Sequence, residues 1–175
     1  MTRAAQPVGA PRWPLGIALA VALALVAGVL IAAAVVRGQR PDPLLVPAAA
    51  APAAESAGCA RLLAALPQQL DAGVEGRLKR RELIAPAPSG TAAWGEPAVV
   101  LRCGLERPAE LTATSRLLVV SGVQYLRLPA NDWVVVDRPV YIAVTLPPEL
   151  GTGPIQQITE VVAQTLPARE VDVSH

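Results

Sequence analysis

The chain has 175 residues, of which 53% are hydrophobic and 17% charged, and its formal net charge is +1 at pH 7. This length accommodates one folded domain together with additional segments. A near-neutral chain lacks the basic surface that displaces counterions from nucleic acid, so we expect no nucleic-acid partner. The only histidine is the terminal His175. Its position excludes Ser-His and Cys-His catalytic pairs and histidine-bound metals.

The first two segments are a tail over residues 1–14 and an apolar stretch over residues 15–36. The stretch reads LGIALAVALALVAGVLIAAAVV and contains no charge and no proline. As a helix rising about 1.5 Å per residue, it is long enough to cross the roughly 30 Å hydrocarbon core of a bilayer. We predict an uncleaved single-pass transmembrane anchor, with the lipid bilayer as the partner of residues 15–36. The alternative is a cleaved secretory signal, with small residues at 32–34 as the cleavage site.

Residues 37–57 are rich in proline and alanine, which predicts an extended linker. The folded domain then occupies residues 58–175. It opens with an apolar stripe at helical spacing, which predicts a helix ending near Pro67. The stripe consists of Cys59, Leu62, Leu63, Leu66 and Leu70.

The segment from Pro97 to Gly104 alternates as a strand does. Val99, Leu101 and Cys103 share one face, and Arg102 on the opposite face indicates that the opposite face is nearer water. Cys59 and Cys103 are the only cysteines of the chain. If the first helix packs on the core face of this strand, the two sulfur atoms meet. We therefore predict a Cys59–Cys103 disulfide, with two unrelated buried thiols as the alternative.

Three more strands and a helix complete the domain. We expect the strands over residues 119–128, 133–137 and 140–146, and the helix from Pro154 to about Leu166. In the last strand Tyr141 points away from the core-facing Ile142 and Val144. Helices at the beginning and end of an antiparallel sheet predict an α+β fold, a two-layer sandwich that follows the N-terminal transmembrane helix.

The predicted disulfide also bears on the compartment, because disulfides persist in oxidising environments. Arginines flank both ends of the apolar stretch, so the positive-inside rule gives little bias. We expect a cytoplasmic N-terminus and an extracytoplasmic domain at the cell membrane, or a secreted domain if the signal is cleaved.

The sequence contains no P-loop, dinucleotide-binding or nucleophile-elbow motif, and we predict no catalytic residue, cofactor or metal. Paired carboxylates stay formally available. Tryptophan and tyrosine combine an apolar body with a polar group, which is typical of binding surfaces as well as of cores. Trp94, Trp133 and Tyr141 are therefore candidates for a binding face.

The segments AAWGEPAVVLRCG (92–104) and DRPVYIAVTLP (137–147), after a Cys-x-x-Leu-Leu helix, resemble an actinobacterial family of small membrane or exported proteins. That family is classed as a domain of unknown function, and the resemblance covers residues 58–167. It implies a cell-envelope location and a shared pattern at Trp94, Arg102, Cys103 and Arg138. Arg102 and Arg138 thereby join the candidate binding face.

We expect a membrane-anchored cell-envelope domain that binds an envelope protein or cell-wall partner without catalysing a reaction. One alternative is a carboxylate-dependent hydrolase of envelope glycans, which requires two converging acidic side chains. The other is a carrier of a small ligand, with a pocket near Trp94.

Overall fold

The computed structural model describes residues 21–32 and 41–173. The chain divides into two compact units, Met1–Arg40 and Pro41–His175. In the first unit, residues 21–32 are helical with exposed side chains. Within the two described ranges, no helix is both long and apolar enough to cross a membrane. The tail 1–14, residues 15–20 and 33–36 of the predicted anchor, and residues 37–40 of the predicted linker lie outside the described residues, so the anchor stays a prediction.

Two α-helices and eight strands make up the described part of the second unit. The helices are α1 (Ala57–Ala65) and α2 (Gly153–Thr165). The strands are β1 (Gln69–Asp71), β2 (Arg77–Lys79), β3 (Thr91–Trp94), β4 (Val99–Leu105), β5 (Leu117–Val120), β6 (Val123–Leu128), β7 (Asp132–Val135) and β8 (Tyr141–Thr145).

Strands β3 to β8 form one six-stranded sheet in the order β3-β4-β8-β7-β6-β5, and every neighbouring pair is antiparallel. Strands β1 and β2 form a separate antiparallel pair. The predicted α+β class, with an antiparallel sheet and helices at both ends of the domain, is confirmed.

The main core lies between the two helices and the face of the sheet against which they pack. Alternate strand residues supply this face because successive side chains point to opposite sides of a strand. In β4 and β8 they are Val99, Leu101, Cys103, Ile142 and Val144, all fully buried. Helix α2 adds an i, i+3, i+7 stripe of Ile155, Ile158 and Val162. The alternation expected for β8 is therefore observed.

The opposite face of the sheet carries a second, smaller apolar cluster. Leu126, Val134 and Ala143 come from the strands, and Leu111 comes from the loop before β5. Val171, in the segment after α2, packs against this cluster. Two irregular segments thus cover part of the face that the helices leave open.

Much of the Pro/Ala-rich segment lies within the second unit, which begins at Pro41. Val46 and Ala54 are buried, and the Ala53 N–H donates to the Gly104 carbonyl over 3.0 Å. Gly104 has φ +85°, and a Cβ there would lie 2.2 Å from the Ala54 nitrogen. Glycine follows Cys103 because only a residue without a side chain accepts this close approach.

The single strand expected over residues 119–128 is wrong, because the structure folds these residues into the β5–β6 hairpin. Ser121 and Gly122 form its two-residue turn with φ 46° and 76°. Positive φ at both central positions is the geometry of a type I′ turn, which matches the twist of paired strands. The Ser-Gly dipeptide is the turn signal that an apolar reading of this segment overlooks.

Candidate functional site

The disulfide between Cys59 and Cys103 is present and fully buried. It joins α1 to β4 across a sequence separation of 44 residues, and the two α-carbons lie 5.7 Å apart. Ser56 caps α1 by accepting a hydrogen bond from the Cys59 N–H over 3.3 Å. The predicted pairing is confirmed, and its position in the main core gives it a structural role.

Trp94, a candidate for the binding face, is completely buried at the end of β3. Its indole N–H donates to the Pro67 carbonyl over 2.9 Å, and the Arg80 guanidinium lies 5.5 Å from the ring centroid. Trp94 is therefore a packing residue, since its one polar atom is hydrogen-bonded inside the protein. Trp94 offers no free wall for the ligand pocket proposed near it.

Arg102 and Tyr141 lie on the sheet face opposite the helices. The Arg102 Nη1 donates to the Thr145 hydroxyl over 3.4 Å, and that hydroxyl donates in turn to Asp132. Tyr141 packs against the second apolar cluster and is partly exposed. These two candidates therefore share a face with each other but not with Trp94 and Trp133, whose neighbours belong to the main core.

Arg138 forms a buried ion pair with its neighbour Asp137. The Arg138 Nη1 lies 2.8 Å from Asp137 Oδ2, and each side chain is 4% exposed. The Arg138 Nη2 donates to the Gly122 carbonyl over 3.4 Å, which ties the β7–β8 connection to the β5–β6 turn. A buried pair of this kind orients the chain more than it adds net stability, because desolvation offsets the attraction.

Trp133 lines a cleft whose volume is about 170 Å³. We call this the Trp133 cleft, and its walls are Arg127, Asn131, Trp133, Leu146, Pro147, Pro148, Leu150 and Thr152. The Arg127 guanidinium lies over the Trp133 ring at 4.8 Å from the centroid. One tryptophan, four other apolar residues and one cation thus line a single concave surface.

Tyr125 supports the Trp133 ring from the core side. The two rings meet edge to face with centroids 6.0 Å apart. The Tyr125 hydroxyl lies 2.6 Å from the Thr159 hydroxyl of α2. Burial raises the pKa of Tyr125 to about 12, and the charge of Asp137 acts in the same direction. The phenol therefore stays neutral and keeps its hydrogen bond at physiological pH.

The outer edge of β5 is a second surface of interest. No segment of the described chain pairs with this edge, because β5 is the last strand of the sheet and bonds only to β6. Leu118 and Val119 are 42% and 68% exposed. An unpaired, apolar, uncharged edge strand is a template for another strand, and proteins usually protect such edges with charges, prolines or covering segments.

The described residues do not bring together a metal-binding group. No cluster of three or more histidine, cysteine or carboxylate side chains occurs in ranges 21–32 and 41–173. The acidic residues beside the strands are engaged individually, with Asp132 on Thr145, Asp137 on Arg138 and Glu96 on Arg81.

The sequence model of DUF3515, described as a protein of unknown function, matches residues 19–171. The chain belongs to the DUF3515 family. The predicted membership of an uncharacterised domain-of-unknown-function family is confirmed, while the actinobacterial origin stays a prediction. No curated protein and no solved structure matches the chain. The match extends N-terminally beyond the expected residues 58–167 and so covers the docked Pro/Ala-rich residues.

The five candidates for a binding face do not form one surface in this DUF3515 protein. Trp94 and Arg138 are buried, Arg102 and Tyr141 share the outer face, and Trp133 lines a cleft of its own. Sequence reasoning missed Arg127, because its role depends on the cross-strand register that places it opposite Trp133. That register is set by the turn Pro129–Asn131 between β6 and β7.

Proposed function

We propose that this DUF3515 protein is a membrane-anchored, extracytoplasmic interaction domain that binds an extended segment of another envelope protein and catalyses no reaction. The apolar stretch 15–36 supports the anchor, since its length and composition suit a bilayer. The Cys59–Cys103 disulfide supports the compartment, because such bonds persist where thiols are not kept reduced.

The single observation that carries the binding role is the open, apolar edge of β5. Leu118 and Val119 point to opposite faces of the sheet, so an added strand would meet an exposed apolar side chain on each side. Alternate backbone groups of an edge strand point outward and pair with an incoming strand, which is the basis of β-augmentation.

The chemistry of β5 also indicates what kind of segment would bind. The strand Leu117–Val120 contains no charged residue, so it suits an uncharged, β-branched or aliphatic segment. A strand of four residues buries less area than a stable dimer needs, about 1,200 Å² or more in total. This favours an extended segment of a partner, with additional contacts elsewhere, over simple pairing of two β5 strands.

The two rival functions gain less support. A glycan hydrolase needs two carboxyl groups about 5–10 Å apart in a cleft. Two of the acidic residues beside the strands are already engaged, Asp132 by the Thr145 hydroxyl and Asp137 by the Arg138 guanidinium. A carrier with its pocket at Trp94 is disfavoured by the full burial of that ring.

A photocrosslinking amino acid at position 119, in cells that make the full-length chain, tests the binding role. Val74 in the β1–β2 connection is fully exposed and provides the matched control position. We expect a discrete crosslinked protein from position 119 that is absent from position 74. Equal products from both positions, or none from position 119, would contradict the proposal.

The compartment and the anchor are tested separately with Val74→Cys. A membrane-impermeant maleimide added to intact cells should label this exposed thiol, and the protein should stay with the membrane after alkaline extraction. Release into the medium with a shortened N-terminus would instead show a cleaved signal, and protection from the reagent would place the domain inside.

A further inference from the structure

We propose that the Trp133 cleft binds a small-molecule carboxylate attached to a compact apolar group. The site is separate from the β5 edge, because no residue of β5 lines it. Its volume of about 170 Å³ is close to that of an apolar cavity, ~150 Å³, that accommodates benzene. The expected ligand therefore carries one ring or a short branched chain beside its carboxylate.

Arg127 supplies the carboxylate-binding group. Its Nη2 donates to the Asn131 Oδ1 over 3.2 Å, and no carboxylate of the described chain forms an ion pair with it. The guanidinium lies over the Trp133 ring, and its N–H groups project in its own plane. A planar cation held in this way presents a fork of donors that matches the two oxygens of a carboxylate.

The remaining walls favour an apolar body over a hydrated anion. Leu146 and Leu150 are buried residues that line the cleft, and Pro147 and Pro148, which also line it, have few conformational choices. Five of the eight lining residues are apolar, and ligand sites generally combine apolar side chains with a few polar groups that orient the ligand. Inorganic phosphate would gain one cation here but would lose hydration against the apolar walls.

The rim of the cleft is fixed before any ligand arrives. Ala130 and Asn131 have φ values of 62° and 59°, a conformation that residues with a side chain adopt infrequently. The Leu146 N–H donates to the Asn131 carbonyl over 3.2 Å and so holds this turn against β8. A preformed rim reduces the ordering cost of binding, and strained backbone of this kind is common at ligand sites.

The experiment is a titration of the purified full-length chain with benzoate, followed by the NMR signal of the Trp133 indole N–H. Benzamide is the neutral analogue of the same shape, and inorganic phosphate is the anion without an apolar group. We expect benzoate to shift the signal with a dissociation constant on the order of a millimolar, as is typical for so small a ligand. Benzamide and phosphate should each bind at least about tenfold more weakly.

Arg127→Ala should weaken benzoate binding at least about tenfold. Arg127→Lys, which keeps the charge but loses the planar fork, should fall between Arg127→Ala and the wild type. Arg116→Ala is the matched control, because Arg116 is also an exposed arginine and does not line the cleft. Equal binding of benzoate and benzamide, equal binding of phosphate, or unchanged binding in Arg127→Ala would overturn the proposal, and none of these outcomes bears on the β5 edge.

Discussion

Both edge strands of the six-stranded sheet, β3 and β5, are four residues long, but the chain covers the first and leaves the second uncovered. At β3 the Arg81 N–H donates to the Ala93 carbonyl over 2.8 Å, and the Gly95 N–H donates to the Lys79 carbonyl over 3.0 Å. At β5 no described segment forms such bonds.

We call the covered edge at β3 the closed edge and the uncovered edge at β5 the open edge. Covering the closed edge takes more than one segment of the chain. The segment that covers β3 is itself held by Arg81, whose guanidinium donates to the Asp42 carbonyl over 2.8 and 2.6 Å. The Pro/Ala-rich residues that begin the second unit thus take part in closing this edge. An exposed edge strand invites pairing with other chains, so leaving β5 apolar and open is consistent with use of that edge.

The largest expected effect comes from the disulfide, which fixes β4 beside the closed edge. Cys103→Ala should lower the free energy of unfolding by about 4 kcal/mol, because a bond closing a loop of 44 residues restricts the unfolded chain. Cys59→Ala removes the same link and should cost a similar amount. Urea unfolding measures both.

The double variant is the control for this prediction. If the link is the main contribution, Cys59→Ala combined with Cys103→Ala should cost little more than either single change. Additive losses would mean that each cysteine acts through its own packing.

The second largest effect is expected from Arg81, whose side chain holds the segments that cover β3. Arg81→Ala should cost about 2–3 kcal/mol, because its hydrogen bonds to Asp42 and Gly95 are lost from a side chain that is 5% exposed. In this variant hydrogen exchange should be faster than in the wild type at Leu44 and Gly95, whose N–H groups donate to the Glu82 and Lys79 carbonyls, and unchanged in β5. Glu96→Gln is the matched control and should cost less than about 1 kcal/mol, because Glu96 is 77% exposed.

The sequence predicted the core of the domain better than it predicted the two edges of the sheet. Periodicity located both helices, the alternation in β4 and β8, and the Cys59–Cys103 pair, since all of these depend on burial of apolar residues. The closed edge was not predictable in this way, because a proline- and alanine-rich segment has no periodicity. Its docking depends on hydrogen bonds that the Arg81 side chain donates to the Asp42 carbonyl and on the space beside Gly104.

Tyr125 connects the open edge to the helices, and its removal should have a smaller effect. Tyr125→Phe should cost about 1 kcal/mol at neutral pH, because it deletes the buried hydrogen bond to Thr159. Residue 125 lies opposite Leu118 of β5, so hydrogen exchange should quicken in the β5–β6 hairpin and stay unchanged at β3.

The same residue predicts a pH dependence. In the unfolded chain the phenol ionises near pH 10, whereas in the folded chain the pKa of Tyr125 is about 12. Between these values the unfolded state binds fewer protons, so stability falls as pH rises, by roughly 2–3 kcal/mol in total. This loss should be absent from Tyr125→Phe, and an equal alkaline loss in the variant would assign it to other groups.

The smallest effect is expected at the open edge. Introducing a lysine at one position on each edge strand compares the two edges directly. Val119→Lys should change the free energy of unfolding by less than about 0.5 kcal/mol, because Val119 is 68% exposed and faces no covering segment. Ala93→Lys on β3 should cost several times more, since Ala93 is 0% exposed and a lysine would have to displace the chain around it.

A lysine on an edge strand also discourages pairing with another chain. Val119→Lys should therefore abolish crosslinking of the partner through a photoreactive group at position 118 while the domain stays folded. A lysine that leaves both stability and crosslinking unchanged would show that the partner does not use the edge of β5. A large loss of stability would show instead that part of the chain covers β5, and the two edges would then no longer differ.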